Sequence, residues 1–383
     1  MAANSRNRKK VKSSANLGKA KPSSSSQVLP SPVAYVSVRG YEQENVFSAV
    51  EQAMELAHWK KYVRGKKIFI KPNLLSDQVV PGQCTSPWVL EAVIKIIKTL
   101  GSGVQISVGD ADVATSKQVE PAARNWGVMD ICKRQGVKFI NLSKEKTVNV
   151  KMDGVIFKNM PIPKILVDAD TIVTVPVVKT HNVTTMTCSL KNQWGCIPTF
   201  RHQYHLVADK CISDINSFLK VKFAVADATI CLEENGPRVG RPKFVGAVMA
   251  SNDRVAMDSA ACKIIGVNPM AVAHVKEAGL RGLGSNDYSI VGDTKLFWSR
   301  RFKPALLKNH PIVMIELFLR KIPGIRWIVF NTPLFKIPAW IASKYNSFWW
   351  YNREGKGFAR DLIRKNALAR NEFEPLLQRI GKL

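Results

Sequence analysis

The chain has 383 residues, 46% of them apolar, and a formal charge of +28. That apolar share excludes wholesale disorder, and the length suits one enlarged domain with terminal extensions. The charge sits largely at the ends, since residues 1–22 hold seven Lys or Arg and no acid, and residues 295–383 hold eighteen basic against five acidic residues; such an excess implies polyanionic partners without choosing among them.

Residues 1–32 are rich in Ser, Lys, Asn and Pro and poor in aromatics, which predicts a disordered basic arm. Residues 33–38 read as a strand, and 42–59 as a helix with apolar Val46, Val50, Met54 and Leu56. The apolar run at 67–70 predicts a strand ending in Lys71-Pro72-Asn73, after which Ser86 and Pro87 open a helix to residue 100 as cap and first residue. Further strands are predicted at 104–108, 137–140, 171–175, 223–225 and 245–249, followed by a helix over 253–265 that Asp253 would cap. From Phe297 short apolar patches alternate with Arg, Lys and Pro, and residues 358–383 read as one or two amphipathic helices. No apolar run approaches the roughly 20 residues of a spanning helix.

Apolar strands alternating with helices predict an α/β fold, a mostly parallel sheet flanked by helices. The expected division is a flexible basic arm (1–32), an α/β core (33–295) and a helical basic and aromatic extension (296–383). Ligands of such sheets gather beyond the carboxyl ends of the strands. That rule selects Lys71-Pro72-Asn73, Gly109-Asp110, residues 176–181 and Asp227-Ala228-Thr229.

Residues 174–205 are dense in chemistry, running through Lys179-Thr180-His181, Cys188, Lys191-Asn192, Cys196, Arg201, His202 and His205. Lys179 and Lys191 suit a carboxylate or phosphate, Asn73 and Asn192 can orient it through amide hydrogen bonds, and Lys71 and Asp110 join the candidate ligand-binding set. His181 and His205 are candidate proton-transfer groups, with Asp110, Asp214 or Asp227 able to orient an imidazole, and Asp227 joins the candidate catalytic set. His202-x-x-His205 offers a rival use, in which His202 and His205, with His181 or Asp227, hold a divalent metal such as zinc or iron.

The succession Ile70-Lys-Pro-Asn73, Thr85-Ser-Pro87, Gly109-Asp110, Lys179-Thr-His181, Leu190-Lys-Asn-Gln-Trp-Gly195, His205, Asp214, Asp227 and Asn235-Gly-Pro237, continuing to Gly240 and Ala256-Met-Asp258, resembles the domain-of-unknown-function family 362 over about residues 65–295. The resemblance implies an uncharacterised α/β protein, of a group many of whose members carry a ferredoxin-like cysteine cluster. Here the seven cysteines are scattered, with no C-x-x-C pair, so neither an iron–sulfur centre nor a disulfide framework is expected.

Three functions compete. The first is an enzyme binding a small carboxylated or phosphorylated molecule. The second is a non-catalytic metal or redox-cofactor protein, and the third a basic scaffold for nucleic acid or an acidic partner. The start of the chain lacks the apolar stretch of a secretory leader, which predicts a cytoplasmic location. Basic residues beside Phe348-Trp-Trp-Tyr351 suit attachment of residues 297–383 to an anionic membrane face, ahead of packing on the core and ahead of nucleic acid.

Overall fold

The computed structural model describes residues 30–113, 119–198 and 201–306, and beyond these residues 314–315, 318–319, 321–332, 334 and 336–381. The basic arm expected over 1–32 lies outside the described residues except for its last three, two of which already belong to the first strand.

Twelve strands are described: β1 Ser31–Ser37, β2 Lys67–Pro72, β3 Gln105–Asp110, β4 Lys138–Asn141, β5 Thr147–Lys151, β6 Asn159–Pro163, β7 Thr171–Val175, β8 Val177–His181, β9 Thr185–Thr187, β10 Val221–Asn235, β11 Val239–Ser251 and β12 Tyr288–Gly292. Ten of them form one sheet in the order β12-β1-β11-β10-β7-β2-β3-β4, with β8 paired to β10 and β9 to β8, while β5 and β6 make a separate antiparallel pair. The β10-β7-β2-β3-β4 side is parallel throughout, and the antiparallel contacts are β1 with β11, β10 with β11 and β8 with β9.

The sheet is covered on both faces, as the apolar strands require. Successive strand residues point to opposite sides. In β2, Phe69 enters one core cluster, with Trp194, Ile215 and Met257, while Ile68 and Ile70 enter the other, with Val50, Leu90 and Trp126. Helix Pro87–Lys98 begins as its sequence predicts, the Ser86 hydroxyl accepting from the Val89 N–H at 3.2 Å. The helix expected over 42–59 divides into Gln43–Leu56 and Trp59–Tyr62, because His58 takes a left-handed conformation (φ 53°).

Two features depart from the sequence reading. Residues 177–181, read as the polar segment after a strand, are themselves strand β8, buried along its whole length. The C-terminal extension is not one appendage. Helices Lys356–Lys365 and Ala367–Arg379, divided at Asn366, bury Ala359, Ile363, Leu368, Phe373 and Leu377 in the second core cluster, with Phe373 edge-on to Trp126 at 5.8 Å. That part packs on the core.

Candidate functional site

A cavity of about 220 Å3 lies beyond the carboxyl ends of the central strands. β2 delivers Lys71, β3 Asp110, and β8 Lys179 and His181; the short helix Ser189–Asn192 delivers Lys191 and Asn192, and Asn73 follows β2. Lys71, Asn73, Asp110, Lys179, His181, Lys191, Asn192 and His205, gathered from the sequence by different arguments, thus share one wall system. Asp227 is buried outside it: its carboxylate accepts from Ser86 N–H (2.8 Å), Thr229 N–H (2.9 Å) and the Thr229 hydroxyl (2.6 Å). Asp214 also lies elsewhere, anchoring the 155–157 loop through three backbone N–H groups and pairing with Arg281 at 2.6 Å.

The polar floor is held rigidly. Asn192 donates to the Lys71 carbonyl at 3.0 Å and the Thr174 hydroxyl at 2.9 Å, and accepts from Asn73 at 3.3 Å. Its helix is capped by Asp258, whose two oxygens accept from Ser189 N–H (2.7 Å) and Leu190 N–H (3.1 Å). Burial pushes the Asp258 carboxyl up to about 7. Gly195 is required by space, since a Cβ there would lie 2.5 Å from an Asp110 oxygen and 2.8 Å from the Lys71 ammonium.

The cations differ in how far they are compensated. Lys71 pairs with Asp110 at 2.7 Å and donates to the Pro72 carbonyl at 2.8 Å. Asp110, the one acid among the described residues of the cavity lining, is further occupied by Leu74 N–H (2.9 Å) and Ala111 N–H (2.7 Å). Lys179 donates to the Asn73 side chain and the Gln83 carbonyl; burial lowers it to about 8 against the opposing charges of Asp110 and Asp227. Arg201 donates to the carbonyls of Ile197 (2.6 Å) and Asp112 (2.8 Å), and Asp77 counters Arg238. Lys191 stands apart. Its ammonium lies 4.8 Å from the centre of the Trp194 ring, and among the described residues it has no hydrogen-bond acceptor or carboxylate partner. Burial lowers it to about 7, and the neighbouring charges acting on it, Arg201 and Lys179, are both positive.

His181 is held as a neutral donor. Its Nδ1 accepts from the N–H groups of Val183 (3.0 Å) and Thr184 (3.3 Å), which places the ring proton on Nε2. Burial first, then the positive Lys191, holds it well below the usual imidazole range. His205 stacks on Trp194 with ring centroids 5.9 Å apart. For the metal reading, the His202 side chain lies outside the described residues, and among those described no group of three His, Cys, Asp or Glu is placed to hold an ion. All seven cysteines are buried and unpaired; burial raises Cys188 well above the ordinary thiol range and Cys196 to about 12.

Trp194 and Arg201, part of the chemistry-dense segment but not singled out in it, line the cavity, as does Arg238, to which the sequence reading assigned no ligand role. Proximity to Lys191 in the motif could have marked Trp194; Arg238, which follows the turn Asn235-Gly236-Pro237, carried no such signal. Ala342 and Asn346 of the C-terminal extension complete the wall, a contact that only the tertiary structure shows.

Comparison with known proteins places these features in a family. The family model described as "Domain of unknown function (DUF362)" matches residues 68–263, which takes in most of the cavity. A thylakoid-associated protein of Synechocystis sp. is 25% identical over 254 residues, 63% of this chain and 76% of that protein. Among solved structures, the lactate racemase apoprotein from Thermoanaerobacterium thermosaccharolyticum is similar with a TM-score of 0.39 and 12% identity, covering 60% of this chain. A protein from Thermotoga maritima follows with a TM-score of 0.33 and 13% identity, over 51% of this chain. The matches span 55% and 52% of those two chains.

Proposed function

The chain belongs to the family of unknown function DUF362, and we propose that its cavity binds a small carboxylated or phosphorylated molecule as an enzyme substrate. The observation that carries this reading is Lys191: a buried ammonium facing a cavity whose one acid among the described residues is already taken by Lys71. Burying a charge without a counter-charge is costly, so the site favours an anionic occupant. Lys179, Asn73 and the His181 Nε2–H supply further donors on the same walls. A lysine near neutral also suits proton transfer to or from the bound molecule.

The test is calorimetric titration with inorganic phosphate and a set of small mono- and dicarboxylates. Binding by the wild type, weakened by at least about tenfold in the Lys179→Ala, Lys191→Ala double variant, is the expected result, each lost charge-assisted contact being worth about 1.5–3 kcal/mol. Equal binding by the two proteins would remove the cation site from consideration. Turnover of a bound carboxylate, followed by exchange of its carbon-bound hydrogen in deuterated water, then distinguishes an enzyme from a binding protein.

A further inference from the structure

The described residues carry twenty-two exposed large apolar side chains, and thirteen of them lie between Met314 and Trp349. Trp327 is 64% exposed, Trp340 58% and Phe348 73%, with Ile325, Ile328, Ile337, Ile341 and Trp349 around them. Soluble surfaces scatter such residues singly; a concentration of this kind marks a contact face.

The chemistry of the face selects its partner. From residue 317 to residue 349 the chain contains Arg320, Lys321, Arg326, Lys336 and Lys344 and no acid. Cations stand beside the rings: the Lys344 ammonium is 5.7 Å from the Trp340 ring centre, and the Arg353 guanidinium 5.1 Å from that of Trp349. Indole rings at headgroup depth, aliphatic side chains beneath them and cations meeting lipid phosphate are the composition of an interfacial segment. Single-stranded nucleic acid would use the rings and cations but has no use for five exposed isoleucines among them. Helices Pro323–Asn331 and Lys336–Lys344 have nine residues each, about 13 Å of rise, so they can lie on a bilayer and cannot cross it.

We propose that residues 323–349, with their exposed apolar side chains and their basic, acid-free composition, seat this protein on an anionic lipid bilayer. The same segment walls the cavity. Ala342 and Asn346 line it, and helix Pro323–Asn331 packs beside residues Arg201–Val207, which bring Arg201 and His205 to it. A protein seated in this way therefore holds its ligand site against the lipid headgroups. The proposal does not depend on which anion, if any, the cavity takes.

Flotation of the full chain with vesicles tests it, using phosphatidylcholine alone or mixed with phosphatidylglycerol. The wild type is expected to float with the mixed vesicles and to stay down with phosphatidylcholine alone. The basic residues before position 23 could draw the chain to anionic lipid by themselves, so the deciding comparison is with a Trp327→Ser, Trp340→Ser, Phe348→Ser variant. Its partition should fall by more than about tenfold, as the loss of three aromatic side chains from the lipid contact dictates. These side chains are exposed, so the melting temperature should not move. In the wild type, brominated phosphatidylglycerol should quench tryptophan emission, which reports insertion even if the variant does not fold. Failure of the wild type to float, equal flotation of the variant, absence of quenching, or a dimer in light scattering that the variant abolishes without any flotation would each overturn the proposal.

Discussion

The Lys191 ammonium is unusual for what surrounds it. Lys71 has Asp110 and a carbonyl, and Lys179 has an amide oxygen and a carbonyl, whereas Lys191 has a ring face and two like charges. With its folded value near 7, it is charged below that pH and neutral above. An anion that needs the charged form is therefore bound tightly below pH 7 and loses about tenfold in affinity per pH unit above it. Sulfate is the suitable probe, because its own charge does not change in this range. Calorimetry from pH 6 to pH 9 should show that fall in the wild type, and weak binding without a break near pH 7 in Lys191→Met. A flat wild-type profile would separate Lys191 from the anion site.

The helix Ser189–Asn192 shows how a short element is made to hold such a residue. Four residues cannot sustain a helix in isolation. This one is capped by Asp258, which occupies two of its N-terminal N–H groups from a neighbouring helix, and tied to β2 by Asn192. Asp258→Ala should lower stability in urea unfolding by about 2 kcal/mol, through two buried N–H groups left without an acceptor, and should weaken sulfate binding as Lys191 loses its anchor. Asp258→Asn keeps an acceptor and should cost less; equal losses would show that the cap is not what matters. The elements legible in the sequence are those whose burial comes from their own apolar periodicity, β7 at Thr171–Val175 and the Ser86-capped helix among them. Strand β8 was hidden because its Lys179, Thr180 and His181 are buried for the sake of the cavity and the neighbouring strands. In β10 and β11 the apolar centres at 223–225 and 245–249 were readable. The extension of the pair through Val239-Gly-Arg-Pro-Lys-Phe244 depends on cross-strand pairing that no local pattern records. Asp258 and Arg238 act across long sequence separations, and composition cannot place such partners.

The molecule as a whole is closed by its last two helices, which return to the beginning of the domain. The decisive contact is Glu372, buried against the start of helix Pro87–Lys98, where its carboxyl meets the Ser86 hydroxyl and the Trp88 N–H (3.2 Å). Burial, with the charge of Asp227 adding to it, raises Glu372 to about 8. A carboxyl at about 4.5 in the unfolded chain and about 8 in the folded one binds more protons when folded throughout that interval. Its contribution is fully present below pH 4.5 and is lost as pH rises through 8. Wild-type stability should therefore decline between pH 5 and pH 8 relative to Glu372→Gln, which keeps the shape and the hydrogen-bonding capacity without a titrating proton. The difference should be of the order of 3 kcal/mol, below the full value of the shift because the folded site can relax around the charge. Urea unfolding of both proteins at each pH isolates this group, since Lys179, Lys191 and Asp258 contribute equally to both curves and cancel. Parallel curves would mean that Glu372 is ionised in the folded protein. The last helix would then rest on its apolar face, Leu368, Phe373 and Leu377 among it, and on the polar contacts of Asn371 and Arg379, and the Ser86–Glu372 contact would contribute nothing that depends on pH.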